Sequence, residues 1–130
     1  MLKVDKNKIL INRGDIGTLG VSVENDDGTN YIFKVGDIVR FKIMDSNNCS
    51  VVHKQIDVVV EEETTEVDIN LESEHTTIGD IINNPVNYWY EVELNPDTAP
   101  QTIIGYDKNG AKILTLYPEG GNLESETIEW

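Results

Sequence analysis

The sequence predicts an all-β fold, an antiparallel β-sandwich of about seven to nine strands with at most one short helix. Three observations lead there. Apolar and polar residues alternate over short runs, which is the two-residue period of half-buried strands. These runs are rich in Val, Ile, Thr and aromatic residues, which suit a pleated surface packed on one side. Turn residues, mostly Gly beside Asp or Asn, separate the runs at regular spacing. A parallel α/β fold would need several long helices, and the chain has room for one short helical segment only.

The elements follow in order. Lys8-Ile9-Leu10-Ile11-Asn12 reads as a first strand and Leu19 to Glu24 as a second, with Leu19, Val21 and Val23 on one face. Arg13-Gly14-Asp15 between them spells the tripeptide that integrins recognise. So short a match arises by chance, and the segment reads as a turn in which Asp15 can accept backbone hydrogen bonds. Asn25-Asp26-Asp27-Gly28 is a hairpin signal, and Tyr31-Ile32-Phe33 a short strand after it. Gly36-Asp37 turns the chain into Ile38–Met44, where Val39, Phe41 and Ile43 point one way and Arg40 and Lys42 the other. Val51 to Val60 is one long bent strand or two short ones, and Glu61-Glu62-Glu63-Thr64-Thr65 an exposed acidic loop. Val67, Ile69 and Leu71 mark another strand.

Ser73 to Ile82 is the one helical candidate, with Ser73 as cap and Ile78, Ile81 and Ile82 at helical spacing, kept short by Gly79 and Pro85. Asn87–Leu94 is the strongest strand, with Tyr88, Tyr90, Val92 and Leu94 on one face. Asn95-Pro96-Asp97 turns the chain, Gln101–Tyr106 returns it, and Asp107-Lys108-Asn109-Gly110 leads into Ala111–Tyr117 to close a final hairpin.

At 130 residues the chain fits one domain, since one core closes most often at roughly 100–150 residues. The sandwich is placed at residues 1–117 and an acidic C-terminal tail at residues 118–130. The net charge of −14 is uneven: residues 1–56 carry eight Lys/Arg against seven Asp/Glu, whereas residues 57–130 carry two against seventeen. That balance argues against nucleic acid as a partner, because phosphate binding needs a basic footprint. It favours solubility, or docking onto a basic surface. No apolar run is long enough to enter a bilayer, and Met1–Lys6 lacks the apolar stretch of a signal peptide. The expectation is synthesis and retention in a cytoplasm, or exit inside a particle.

No catalytic or metal constellation assembles from the sequence. A calcium loop of the EF-hand kind ending its turn at Gly28 or Gly110 would begin with Val23 or Gly105, which offer no side-chain oxygen. Cys49, His53 and His75 lack zinc-ligand spacing, and the single cysteine allows no intramolecular disulfide. The chain holds no Gly-x-Ser-x-Gly elbow, and Gly14, Gly17 and Gly20 do not have dinucleotide spacing. We therefore expect no enzyme, no metal and no cofactor. Candidate contacts to a partner or ligand are the aromatic residues Trp89, Tyr106 and the terminal Trp130.

The order Ile9–Asp15, then Leu19–Val23, then Tyr31–Phe41 resembles small tail and baseplate accessory proteins of phages infecting Gram-positive bacteria, and is similar to the opening domain of upper baseplate proteins. The aromatic strand Tyr88–Leu94 and Thr102-Ile103-Ile104 match two further strands of such chains. The resemblance spans residues 8 to 106 and leaves out the acidic tail. It implies an immunoglobulin-like sandwich serving as a structural or adaptor part of a phage or prophage tail, made in the bacterial host cytoplasm and carried in the virion. Its partners would be other tail or baseplate proteins or further copies of itself. A second expectation is a carbohydrate-binding module in which Trp89, Tyr90 or Tyr106 forms an exposed platform.

Overall fold

The computed structural model describes residues 2–5, 8–108 and 110–118. Nine strands and one short helix follow in order: β1 (Leu2–Asp5), β2 (Lys8–Asn12), β3 (Gly17–Val21), β4 (Ile38–Met44), β5 (Val52–Val59), β6 (Val67–Leu71), α1 (Ser73–Thr76), β7 (Val86–Leu94), β8 (Gln101–Ile104) and β9 (Lys112–Tyr117). The fold is all-β, as the alternation predicts. Seven strands form one sheet in the order β1-β2-β9-β7-β4-β5 with β8 also on β7, and β3 and β6 form a second.

The two sheets share one core. Ile9, Ile11, Val39, Phe41, Ile43, Val92, Leu114 and Leu116 line the inner face of the large sheet, and Leu19, Val21, Val67, Ile69 and Leu71 that of the small one. Each set occupies every second position of its strand, so burying one face leaves the other polar. Phe33 is fully buried without belonging to a strand. One bridging pair with Thr64, through Phe33 N–H to the Thr64 carbonyl at 2.8 Å, pins it there.

Several local expectations change, and the second strand, expected over Leu19 to Glu24, runs over Gly17–Val21 instead, where Leu71 to Val67 of β6 pair with it. Tyr31–Phe33 is not a strand, because its pairing stops at one bond from the Tyr31 N–H to the Val23 carbonyl at 2.7 Å and the isolated pair of Phe33 with Thr64. The helix is confined to four residues and is capped by Glu72 rather than Ser73. Glu72 N–H donates to Nδ1 of His75 at 2.8 Å. Gly79, at φ +67°, stops the helical run, leaving Ile78 buried and Ile81 exposed.

The sheet is not wholly antiparallel, since β2 and β9 run parallel from Ile9 opposite Leu114 to Asn12 opposite Tyr117. Parallel neighbours need a long crossover, and here it is nearly the whole chain.

The expected hairpin between Gln101–Tyr106 and Ala111–Tyr117 is absent. Both β8 and β9 pair with β7, β8 along Val92–Leu94 and β9 along Val86–Tyr90, and β4 takes the opposite edge. They act as two halves of one interrupted strand, and residues 105–111 form an excursion between them. The additional strand β1 pairs antiparallel with β2. β5 is a single strand whose register shifts opposite Ile43 and Met44.

Arg13 of the integrin-like tripeptide is turned inward and is 7% exposed. Its Nε donates to the Ile78 carbonyl at 3.4 Å and its Nη2 to the Gly79 carbonyl. A cation spent on carbonyls beneath the surface fastens the segment after α1 and is not displayed to a receptor.

Candidate functional site

Side chains alternate along β7, so the face that buries Tyr90 and Val92 leaves Trp89, Glu91 and Glu93 on the outer surface of the large sheet. Tyr90 is 5% exposed, and burial pushes its hydroxyl pKa up to about 12. It belongs to the core and does not form the exposed platform expected of a sugar-binding ring. Trp89 is half-buried beside its cross-strand neighbours Met44 and Ile113.

The 105–111 excursion brings Tyr106 over Trp89, with ring centroids 5.9 Å apart and planes tilted by 47°. Gly105 opens the excursion where a Cβ would come within 2.6 Å of the Thr102 methyl. The loop closes on itself through Asp107 N–H to the Gly110 carbonyl at 3.2 Å and Gly110 N–H to the Asp107 carbonyl at 2.8 Å. Lys112 Nζ ties it to the start of β9 by an ion pair with Asp107 at 2.9 Å. Tyr106 is 74% exposed and stands as a wall between two clefts. One, of about 190 Å³, is lined by Met44, Cys49, Trp89, Tyr90, Glu91, Tyr106, Ala111 and Lys112. The other, of about 310 Å³, is lined by Ile103, Ile104, Tyr106, Asp107 and Lys112.

The rest of the outer face pairs each of two cations with two carboxylates, which leaves it net acidic. Lys42 lies 3.2 Å from both Glu91 and Glu93; burial works against its charge, but the two carboxylates outweigh that and hold its pKa above the ordinary value. Arg40 meets Asp57 at 2.8 Å and Asp97 at 3.1 Å, and its guanidinium holds the Asp57 carboxyl below the usual range. Among the described residues no group of three or more His, Cys, Asp or Glu is placed to hold a metal ion, and no helix is long and apolar enough to cross a membrane.

The second feature is a free edge. β5 ends the large sheet, and among the described residues no strand pairs with its far side. The Val60 N–H donates inward to the Asp37 carbonyl at 2.9 Å. Alternation then turns the backbone N–H and C=O of Gln55, Asp57 and Val59 outward. Val51, Val52 and Val59, at or beside its ends, are exposed. The edge has unpaired backbone groups, apolar side chains at its ends and no proline, and its guards are Lys54, Asp57 and the irregularity opposite Ile43 and Met44.

Of the three aromatic candidates, Trp89 and Tyr106 come together at one cleft, and Trp130 lies outside the described residues. The acidic residues beyond Pro118 lie outside them as well. An exposed strand edge is expected of an assembling sandwich, but that β5 is the edge could not be read in the sequence, because alternation does not give strand order.

No protein-family model, curated protein or solved structure matches the chain.

Tyr106→Ala tests the stacking. It is expected to raise acrylamide quenching of Trp89 in a Trp130→Phe background, with stability changed by less than about 0.5 kcal/mol because the ring is mostly solvated. Unchanged quenching would mean that Tyr106 does not shield the indole.

Proposed function

We propose that this chain is a non-enzymatic structural or adaptor protein of a phage or prophage tail, acting by protein–protein assembly. The observation that carries the assembly reading is β5, an eight-residue edge strand with outward backbone groups and exposed valines. In a particle a neighbouring subunit covers such an edge; alone, it is an aggregation hazard. The phage assignment rests on the order of strand motifs from Ile9 to Tyr106. We also propose an immunoglobulin-like frame, made in the bacterial host cytoplasm and carried in the virion. The sheet order β9-β7-β4-β5 against β3-β6 corresponds to the G-F-C-C′ and B-E strands of that class.

Size-exclusion chromatography with light scattering, alone and with the tail and baseplate proteins of the same particle, tests the reading. Co-elution with at least one of them is expected. A chain that stays apart from all of them sinks it.

The exposed Tyr106 between two clefts supports a second reading, a saccharide subsite in which a pyranose ring packs on Tyr106 and Trp89. A glycan array or titration with cell-wall polysaccharide should then show binding that Tyr106→Ala removes. Signal equal in that variant and the parent counts against it.

A further inference from the structure

We infer that β5 pairs with β5 of a second copy of this chain, antiparallel about a two-fold axis through Ile56, so that two large sheets continue into one. This rests on the assembly reading and names the partner.

The backbone supplies the first reason. Gln55, Asp57 and Val59 present their N–H and C=O groups away from β4. With the axis at Ile56, Gln55 of each copy faces Asp57 of the other, and each such pair exchanges both of its N–H···O bonds. Backbone groups that would otherwise stay in water are joined without disturbing the ladder to β4.

Side-chain distribution supplies the second. Val51 and Val52 at one end of the strand are 43% and 42% exposed, and Val59 at the other end is 55% exposed. Val35, 67% exposed, lies beside that second end, where the Gly36 N–H donates to the Val60 carbonyl at 2.9 Å. An antiparallel copy lays the Val51–Val52 end of one chain against the Val59 end of the other. A two-fold interface has to be self-complementary in this way.

Charge disfavours two of the neighbouring registers. Moving the axis to Asp57 would oppose two carboxylates, and moving it to Lys54 would oppose two ammonium groups, both unfavourable across a strand pair. The axis at Ile56 opposes an isoleucine to itself and an amide to a carboxylate, and Asp57 enters already paired with Arg40 at 2.8 Å. The acidic loops at Glu61–Glu63 then fall at opposite ends of the joined strands.

The test is the mass of the full chain by light scattering across a concentration series. A dimer is expected. Gln55→Pro removes an N–H that β4 does not use, so it should weaken self-association by at least about tenfold and leave the circular dichroism spectrum unchanged. Val59→Lys, at an exposed position, should act in the same direction and covers the case in which the proline variant fails to fold. In a Cys49→Ser background, Ile56→Cys should form an intermolecular disulfide under mild oxidation, because facing Cα atoms at a non-hydrogen-bonded pair lie about 4.5 Å apart, within disulfide range. Val59→Cys should not. A monomer at every concentration overturns the inference, as does a dimer indifferent to both edge variants or one cross-linked through position 59 instead of 56. A monomer still captured by tail proteins removes the self-pairing and leaves the assembly reading; a β5-dependent dimer that captures none of them does the reverse.

Discussion

Phe41→Ala is expected to lower the free energy of unfolding by about 3–5 kcal/mol. Phe41 is fully buried in the middle of β4, between β5 and β7 in the large sheet. Its ring lies 5.8 Å from that of Tyr90 on the neighbouring strand, tilted by 35°. Truncation removes apolar contacts from both sheets and opens a cavity that rigid strands cannot close. Against a total of about 5–15 kcal/mol for a domain, this is a large loss. Urea denaturation followed by circular dichroism should show a lower midpoint with an unchanged slope. Phe41→Leu keeps most of the volume and should cost far less. A loss below about 1 kcal/mol for the alanine variant would mean that the sheets repack freely around the site.

The second large effect is expected at Asp37, in the turn that feeds β4. One carboxylate oxygen accepts from the Tyr31 hydroxyl at 3.0 Å and the Lys34 N–H at 2.9 Å, and the other from Asn95 Nδ2 at 3.1 Å. Asn95, held at φ +49°, in turn accepts the Ile38 N–H at 2.9 Å. This network joins the start of β4 to the turn after β7. Removing the carboxylate takes the acceptor from three donors, of which the Lys34 N–H is exposed and can turn to water, so Asp37→Ala should cost about 1–2 kcal/mol.

Desolvation raises the Asp37 pKa, but the hydrogen bonds from Lys34, Asn95 and Tyr31, with the Lys34 charge, outweigh it and hold the carboxyl below its ordinary value of 3.8. A carboxyl whose pKa is lower in the folded state stabilises the fold above its unfolded pKa. That contribution is lost as the pH falls through the folded value. The stability gap between the parent and Asp37→Asn should therefore be full at neutral pH and shrink below about pH 4. Parallel urea titrations at several pH values check this, and a gap independent of pH would place the carboxylate outside the network.

What the sequence made legible was whatever depends on local periodicity. β2, β4 and β6 have the limits that alternation gives them, because each buries one face and a slip of one residue would expose it. Three other features depended on partners far along the chain. Phe33 looked like part of a strand, yet its backbone found Thr64 rather than a neighbouring strand. The Asp107–Gly110 turn looked like the tip of a hairpin, but β7 offered one long edge to both flanking segments, and pairing with it won. The helix candidate had the right spacing but lost to Gly79 and to the draw of Ile78 into the core. Trp89 and Tyr106 were each visible as aromatic residues; their meeting required the excursion, whose path no local pattern encodes.

The position of β9 has a consequence for synthesis. It is the last of the described strands in chain order and sits inside the sheet, between β2 and β7. A nascent chain can pair β4 with β5 and β7, and β3 with β6, as it emerges. The slot between β2 and β7 stays open until Tyr117 has left the ribosome. Completion of the large sheet therefore waits on β9, and until it arrives the half-built molecule carries two open inner edges. Production in cells should thus respond to growth temperature and translation rate more sharply than the stability of the finished fold would suggest.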